Sequence, residues 1–312
     1  MQLEIAEARD ITDRVRLFTL VRSDGADLPE YTAGAHVDFD LGDVGTRSYS
    51  LIDFVPIAPL PGAYHIAVQA EHEGDGGSLA MHKLAVGETI KASAPKNSFA
   101  LHESNAPAVL IAGGIGVTPI VSFATELDRR GTPFAFHYAA RSRDVCALAD
   151  TLEERFGDAL TFWFDDDRMI DVAGLLKDAP DDAHVFCCGP KGMIEAVRTA
   201  AEAAGYPGDR IRFELFETPQ AEGDDTSFEV EINDGQVFTI PPDKSIIDVL
   251  EDAGLDIMYD CQRGDCGICQ TDVLEGEPDH RDVVLSDAER AAGDVMQICV
   301  SRAKSPRLKL DI

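Results

Sequence analysis

Four cysteines near the end of the chain constrain its fold and chemistry more than any other feature. Three lie in the short segment Cys261-Gln-Arg-Gly-Asp-Cys266-Gly-Ile-Cys269, and the fourth, Cys299, lies far downstream. A tight group of three cysteines with one remote cysteine matches the plant-type spacing for a [2Fe–2S] cluster, in which four thiolates hold two irons and two sulfides. The spacing therefore predicts an iron–sulfur site at these four residues.

Two other uses of these cysteines fit less well. Structural zinc sites usually have two pairs of cysteines, each pair separated by two residues, whereas the first gap here spans four residues. Disulfide bonds are typical of secreted chains, which this sequence does not resemble. Gly264 and Gly267 favour the cluster, because a loop around an inorganic group needs backbone conformations that a Cβ would block.

The length and net charge of the chain limit its number of domains and the kinds of partner that it can bind. A chain of 312 residues predicts two or three domains, and its apolar content of 45% is typical of a globular protein. The first ten residues carry acidic side chains and include no long apolar stretch, so we expect no signal peptide and a cytoplasmic location. The net charge of −30 argues against binding to nucleic acid. The negative charge could serve solubility, for example in saline surroundings, or attraction to a basic partner. Because the acidic residues are spread along the whole chain, solubility is the favoured explanation.

One uncharged run, residues 106–125, is long enough to raise the question of a membrane span. Gly113, Gly114, Gly116 and Pro119 interrupt it, and charged residues follow at once. A buried strand, a turn and the start of a helix explain the run better, so we expect no contact with a membrane.

Residues 1–103 are predicted to form an antiparallel β-barrel. Short alternating runs at 15–21, 36–41 and 64–70 are typical of strands between turns. Arg47-Ser-Tyr-Ser-Leu51 offers a cation and hydroxyls, and Gly74-Asp-Gly-Gly-Ser78 offers amides at the start of a predicted helix over 79–84. Together they could bind a phosphate, with the tyrosine against a flat ring. Alone, each segment is more typical of an ordinary strand or turn.

Residues 104–218 are predicted to form a doubly wound α/β domain. The apolar run 108–112 is typical of a strand buried on both faces, and the glycines that follow it could close on a dinucleotide's diphosphate. Further strands are predicted at 133–138, 160–164 and 184–188, each near a helix. Arg141, Asp165 and Cys188-Gly189-Pro190 are expected at the carboxyl ends of these strands, where such sheets bind ligands. Cys187 is interpreted as a small buried residue.

The polar segment 219–226 is predicted to be a linker, and residues 227–312 are predicted to form a compact module around the cysteines. Strands at 228–232 and 237–240 flank an Asp-Gly turn, and Ser245 with Asp248 forms a capping-box pattern before a helix. A hairpin, a crossing helix and a cysteine loop are consistent with a β-grasp ferredoxin.

These motifs in combination resemble the phthalate dioxygenase reductase family, which includes the vanillate demethylase reductases. The resemblance covers essentially the whole chain. It rests on Arg47-Ser-Tyr-Ser-Leu51, Gly76-Gly-Ser78, Gly113-Gly-Ile-Gly-Val-Thr-Pro119, Cys187-Cys-Gly-Pro190, Phe213-Glu-Leu-Phe216 and the four cysteines. It implies an FMN-binding β-barrel, an NAD-binding α/β domain and a C-terminal plant-type [2Fe–2S] ferredoxin, in that order.

The resemblance also implies roles for individual residues. Ser50 would lie near the flavin N5, Thr118 between flavin and nicotinamide, Cys188 beside the nicotinamide, and Phe216 over the flavin face that the nicotinamide enters. The other FMN contacts would be Arg47, Ser48, Tyr49, Gly76, Gly77 and Ser78. The other nucleotide contacts would be Gly113, Gly114, Gly116, Arg141, Asp165, Gly189, Pro190 and Met193. The cluster ligands would be Cys261, Cys266, Cys269 and Cys299.

The choice of nucleotide depends on charges near the strand ends. Arg141 and Arg143 could bind the 2′-phosphate of NADPH, whereas Asp165, Asp166 and Asp167 would repel it. NADH is therefore the expected donor.

The implied function is that of a monomeric NADH-dependent reductase that passes electrons through FMN and the cluster to a Rieske non-haem iron oxygenase acting on a small, often aromatic, molecule. A flavin is needed because a hydride carries two electrons and the cluster accepts one. Two alternatives remain: another acceptor, such as a cytochrome P450, and a redox sensor without turnover. The complete hydride path of Thr118, Cys188 and Phe216 favours turnover.

Overall fold

The computed structural model describes residues 1–54, 62–216 and 225–312. They form two compact units, Met1–Pro190 with Asp209–Arg212, and Lys191–Gly208 with Phe213–Ile312. Most of the predicted linker, residues 219–224, lies outside the described residues, so the linker stays a prediction. The same holds for the predicted domain boundaries.

The first unit begins with an antiparallel sheet in the order β4-β3-β6-β1-β2-β5. Its elements are β1 (Gln2–Asp10), β2 (Val15–Arg22), β3 (His36–Asp40), β4 (Thr46–Ser50), β5 (Tyr64–Gln69), α1 (Gly77–Lys83) and β6 (Thr89–Ala92). The two outer strands approach each other, because the Ile52 amide, just after β4, donates to the His65 carbonyl oxygen on β5 at 2.8 Å. The sheet thus curls toward closure, which confirms the predicted barrel.

Strand β2 is apolar on both faces because two cores meet at it. Phe18 and Leu20 pack inside the barrel, whereas Val15 and Leu17 belong to the core that includes the α/β sheet. A strand with one face in water would show strict alternation of apolar and polar residues. The burial of both faces explains the run Val-Arg-Leu-Phe-Thr-Leu-Val in the sequence.

A second sheet follows in the order β11-β10-β7-β8-β9, in which the pairs from β10 to β9 are parallel. The strands are β7 (Ala108–Gly113), β8 (Phe134–Ala140), β9 (Leu160–Phe164), β10 (His184–Cys188) and β11 (Ile211–Glu214); the helices are α2 (Val117–Arg130), α3 (Ala149–Phe156), α4 (Val172–Asp178) and α5 (Lys191–Ala203). Strand β7 pairs in parallel with both β8 and β10. The order of the strands reverses between β7 and β10, which is the point where doubly wound sheets bind ligands.

The uncharged run 106–125 becomes β7, a short 3₁₀ turn and the first half of α2. Within the described ranges, no helix combines the length and the apolar character needed to cross a bilayer.

The second unit contains α5 and a mixed sheet in the order β13-β12-β18-β14-β16. Its further elements are β12 (Phe228–Glu231), β13 (Val237–Ile240), α6 (Ile246–Asp252), β14 (Gln270–Glu275), β15 (Pro278–Asp279), α7 (Asp287–Ala292), β16 (Val295–Gln297), β17 (Arg302–Ala303) and β18 (Arg307–Leu310). Strands β12 and β18 are parallel, and the other pairs of this sheet are antiparallel. A hairpin, a crossing helix and a parallel C-terminal strand confirm the β-grasp fold.

A local sequence motif sets the start of helix α6 in this unit. Ser245 and Asp248 form the predicted capping box at the start of α6. Ion pairs then tie distant segments together: Arg198 on α5 lies 2.8 Å from Asp287, and Arg281 donates to both carboxylate oxygens of Asp225 at 2.5 and 2.9 Å. The bonds from Arg281 fix Asp225, three residues before the start of β12, on the ferredoxin module.

A buried histidine makes the stability of the first unit depend on pH. His137 on β8 is 8% exposed, and its Nδ1 accepts the indole N–H of Trp163 on β9 at 3.3 Å. Burial lowers the pKa of His137 to about 4. The unfolded chain therefore binds a proton here between pH 6.5 and 4 that the folded chain does not, so stability is lost as the pH falls through that range.

We expect this histidine to lower the free energy of unfolding by about 2 kcal/mol between pH 7 and pH 5. Urea titrations followed by the fluorescence of Trp163, which is the single tryptophan, measure it. His137→Gln keeps an acceptor for the indole but cannot titrate, so its loss between the two pH values should be smaller by that amount. Equal losses in both proteins would contradict the assignment.

Candidate functional site

The predicted phosphate site brings β4 together with the start of α1. The Arg47 side chain lies directly over Gly77, where an added Cβ would come within 2.6 Å of the arginine Cγ. Gly76 before it adopts a left-handed backbone conformation with φ of 80°. Among the described residues, the guanidinium forms a weak ion pair with Asp75 at 3.8 Å and donates to the Thr46 carbonyl oxygen at 2.9 Å. A cation beside glycine amides fits an anionic phosphate.

The neighbouring hydroxyls have protein partners. Ser48 donates to Asp38 Oδ1 at 2.6 Å, and Ser78 accepts the amide N–H of Glu71 at 2.9 Å. Tyr49 packs against Phe39 with the ring centroids 5.9 Å apart, and burial raises the pKa of its hydroxyl to about 12. Of this set, Arg47 and the glycines therefore offer the freest groups for a ligand, while the predicted roles of Ser48 and Ser78 remain predictions.

The predicted nucleotide site lies where β7 and β10 end side by side. Gly116 approaches β10 so closely that a Cβ would lie 2.2 Å from the Cys188 carbonyl oxygen. Only glycine allows this approach, which brings the loop after β7 and the Cys188-Gly189-Pro190 segment to one place. Thr118 and Cys188 are almost fully buried, and the Thr118 hydroxyl donates to the Ile115 carbonyl oxygen at 3.1 Å. Gly113 ends β7, and Gly114 has a positive φ of 54°.

The arginines and aspartates that bear on nucleotide choice lie in the loops after β8 and β9. Arg141 and Asp165 are both exposed. Arg143 is already neutralised, because its guanidinium lies 2.6 Å from Asp150 and 2.5 Å from Glu153. A 2′-phosphate would thus compete with two carboxylates for Arg143.

In the second unit, the cysteine loop brings the predicted ligands together. The thiol of Cys261 interacts with those of Cys266 and Cys299, and the thiol of Cys299 interacts with that of Cys269. Gly264 and Gly267 both have the positive φ, 78°, that the motif requires. These contacts run from Cys266 through Cys261 and Cys299 to Cys269, so the four thiols form one connected group. Four cysteine sulfurs are the donor set that a [2Fe–2S] cluster takes, so these residues fit the group.

Hydrogen bonds divide the thiols into donors and acceptors. The bond from Cys266 lowers the pKa of Cys261, and it raises the pKa of Cys266 itself. The Arg263 amide also donates to the Cys261 sulfur at 3.3 Å. Backbone donors of this kind stabilise thiolates, which are the form that binds iron.

Charged residues inside the cysteine loop bind the segment before Phe216, a feature that the sequence analysis missed. Asp265 accepts the Leu215 amide N–H at 2.7 Å, and Arg263 lies 3.3 Å from Asp265 and 3.6 Å from Glu214. The two carboxylates are almost fully buried, and burial raises the pKa of Glu214 to about 8. In the sequence, this contact is indicated by the charged residues Arg263 and Asp265 between Cys261 and Cys266.

Two predicted site residues also belong to the second unit. Met193 lies half-buried in the first turn of α5, and Phe216 is 42% exposed next to the anchored Leu215. Their contacts with a nucleotide or a flavin remain predictions.

Comparison with known proteins places these features in a family. Residues 230–304 match the model of the 2Fe-2S iron-sulfur cluster binding domain. The vanillate O-demethylase oxidoreductase of a Pseudomonas species is 39% identical over 100% of both chains. The solved structure of phthalate dioxygenase reductase, described as modular for electron transfer from pyridine nucleotides to [2Fe–2S], is 32% identical with a TM-score of 0.70. It is matched over 100% of this chain and 98% of its own.

A longer protein shares the same arrangement. The structure of an intact type IV self-sufficient cytochrome P450 monooxygenase is 34% identical with a TM-score of 0.73, and it matches 100% of this chain. This chain spans 41% of that protein's length. On the full-length matches, the chain belongs to the family of oxygenase reductases that includes vanillate O-demethylase oxidoreductase and phthalate dioxygenase reductase.

Proposed function

We propose that this protein is the NADH-dependent reductase component of a Rieske non-haem iron oxygenase, with electrons passing from NADH through FMN and a [2Fe–2S] cluster to the oxygenase. The observation that carries the proposal is the convergence of Cys261, Cys266, Cys269 and Cys299 in a chain that also has a doubly wound nucleotide-binding sheet. We assign residues 1–103 to the FMN domain, 104–218 to the NAD domain, 219–226 to a linker and 227–312 to the ferredoxin domain.

FMN, when bound, would take a hydride from the C4–H bond of NADH and release the two electrons singly to the cluster. The chain's own task is to hold the reactants in place. Arg47 and the amides of Gly76 and Gly77 hold the phosphate, with Ser48 and Ser78 completing this site. Tyr49 would support the ring, and Ser50, which is buried at the end of β4, would lie near the flavin N5. The short phosphate site suits FMN rather than FAD.

The nicotinamide is held by residues at the ends of β7 and β10. Thr118 and Cys188, which are both buried, would line its site. Phe216 would be the aromatic residue that covers the flavin face where the nicotinamide enters. Gly113, Gly114, Gly116, Gly189, Pro190 and Met193 contact the rest of the nucleotide.

NADH is favoured over NADPH by charge. Asp165 is exposed after β9, where it would repel a 2′-phosphate, and Arg143 is paired with two carboxylates. Arg141 remains as a contact for the diphosphate or ribose.

The remaining part of the proposal concerns the protein that accepts electrons from the cluster. An oxygenase partner follows from the family, and we infer that it is of the Rieske type, with the reductase acting as a monomer. A cytochrome P450 is the second candidate, supported by the match of the whole chain to part of a self-sufficient P450. Mixing the reduced protein with each acceptor and following reoxidation of the cluster distinguishes the two.

Replacement of one cluster ligand tests the order of electron flow. Cys266→Ser should leave NADH-dependent reduction of the flavin intact and abolish reduction of cytochrome c, because the path to one-electron acceptors passes through the cluster. Stopped-flow absorbance measures the first and a steady-state assay the second. Cys146→Ser, which alters a buried thiol far from the loop in sequence, should change neither. Unimpaired reduction of cytochrome c by Cys266→Ser would refute the order.

Removal of the phosphate-site cation tests the flavin assignment. Arg47→Ala should weaken FMN binding about tenfold to hundredfold, the effect of losing one charge-assisted hydrogen bond. Titration of the apoprotein with FMN, followed by quenching of flavin fluorescence, gives the dissociation constant. Arg22→Ala removes an arginine of β2 that pairs with Asp24, and it should bind FMN like the wild type. Equal affinity in Arg47→Ala and the wild type would remove Arg47 from the site.

The nucleotide preference should depend on the carboxyl end of β9. Asp165→Ser should narrow the ratio of kcat/KM for NADH over NADPH about two- to fivefold, the size of an exposed charge effect. Asp158→Ser changes an exposed aspartate at the opposite end of the same strand and should leave the ratio unchanged. If both variants keep the wild-type ratio, Asp165 has no role in selecting the nucleotide.

A further inference from the structure

A fully buried hydroxyl on α2 connects the two halves of the proposed hydride-transfer site. Ser122 is 0% exposed. Its Oγ accepts the amide N–H of Asp53 at 3.0 Å and donates to the carbonyl oxygen of Leu51 at 3.1 Å. The carbonyl oxygen of Thr118, one turn earlier on the same helix, lies 3.4 Å away. One side chain therefore bonds to the segment after β4 and to the turn of α2 that carries Thr118.

The segment after β4 is fixed from its other side by the barrel. The Leu51 amide N–H donates to the Ala35 carbonyl oxygen at 2.8 Å, and the next amide, that of Ile52, donates to His65 on β5. The peptide groups of Leu51 thus bond to the barrel through nitrogen and to α2 through oxygen. Ser50 immediately precedes this residue, so its position relative to Thr118 is set by the Ser122 bonds.

Hydride transfer is unusually sensitive to such a connection. The donor carbon and the acceptor nitrogen must meet at about 3–3.5 Å, and a displacement of about 1 Å can cost on the order of a hundredfold in rate. Ser50 and Thr118 come from separate layers of the first unit. Apolar packing between layers is non-directional, whereas a hydroxyl with one donor and two acceptor sites fixes both distance and orientation.

We propose that Ser122 is a positioning residue for hydride transfer: its hydroxyl holds the flavin-side segment at Ser50 and Leu51 in register with the nicotinamide-side turn at Thr118. This inference rests on the proposed function. Ser122 touches neither reactant in this role, and it acts through the two backbone segments that it joins.

The same helix offers a matched control. Thr125 donates its hydroxyl to the Val121 carbonyl oxygen at 2.8 Å, a bond within the helix that reaches no residue of the barrel. Thr125→Ala therefore removes a helical hydroxyl without removing a connection between layers.

The test compares Ser122→Ala, Thr125→Ala and the wild type. In Ser122→Ala, FMN affinity should stay within about twofold, while the rate constant for flavin reduction at saturating NADH should fall about tenfold to hundredfold. A primary isotope effect with NADH deuterated at the transferred position identifies the slowed step as hydride transfer. In the apoprotein, amide exchange of the peptide that contains Asp53 should be faster in Ser122→Ala alone, because its N–H has lost its acceptor.

The outcomes separate the inference from the proposed function. A wild-type protein whose flavin is not reduced by NADH would refute the proposed function itself. A Ser122→Ala protein that reduces its flavin at the wild-type rate would overturn the positioning role whatever its amide exchange, as would equal effects in Thr125→Ala. If Ser122→Ala does not fold, Ser122→Cys, whose thiol forms only weak hydrogen bonds, takes its place. Faster exchange of the Asp53 peptide together with an unchanged reduction rate in this variant would overturn the role.

Discussion

The close approach of Gly116 to Cys188 is the contact on which the rest of the first unit depends. Two backbone segments at the ends of β7 and β10 meet at a distance that no side chain permits. Helix α2 starts at the next residue, Val117, so the approach also fixes where this helix begins and how it is directed. Thr118 and Ser122 follow within its first two turns. Through Ser122 the constraint extends to the barrel, so one missing Cβ influences the geometry of both proposed cofactor sites.

The strands with a clear pattern were predictable from the sequence. The runs at 160–164, 184–188 and 237–240 coincide with β9, β10 and β13, because burial on one or two faces leaves a direct pattern of apolar residues. Strand β1 was missed, since charged residues on its outer face hide the few buried side chains such as Leu3 and Ile5. The cysteine ligands were evident because four of them cluster at a known spacing.

The polar contacts between distant segments could not be predicted. Ser122 and Leu51 are 71 positions apart, and Asp265 and Leu215 are 50 apart. A serine in an amphipathic helix and an aspartate in a loop are ordinary residues in the sequence. Their partners are backbone groups, which every residue carries, so only the folded chain identifies them. Arg47 and Gly77 are similar, because each belongs to a weak motif that gains meaning from the other.

Two arginines of the ferredoxin module lie beside carboxyl groups from distant parts of the chain. Arg263 lies between Glu214 and Asp265, and Arg281 pairs with Asp225. Removing an ion from water costs several kcal/mol, and close pairs offset that cost only when the geometry is good. Such pairs add little net stability but specify which segments meet.

Leu215 and Asp225, on either side of residues 217–224, are each fixed by a side chain of the ferredoxin module. This has a consequence for insertions between them. Leu215 is bound by Asp265 and Asp225 by Arg281, and all four residues belong to the same unit. Residues inserted between fixed ends lengthen a closed loop, whose entropic cost rises only with the logarithm of its length, about 0.6 kcal/mol per doubling. An insertion between these anchors should therefore cost the module little, whereas loss of Asp265 or Arg281 would release one of the fixed ends.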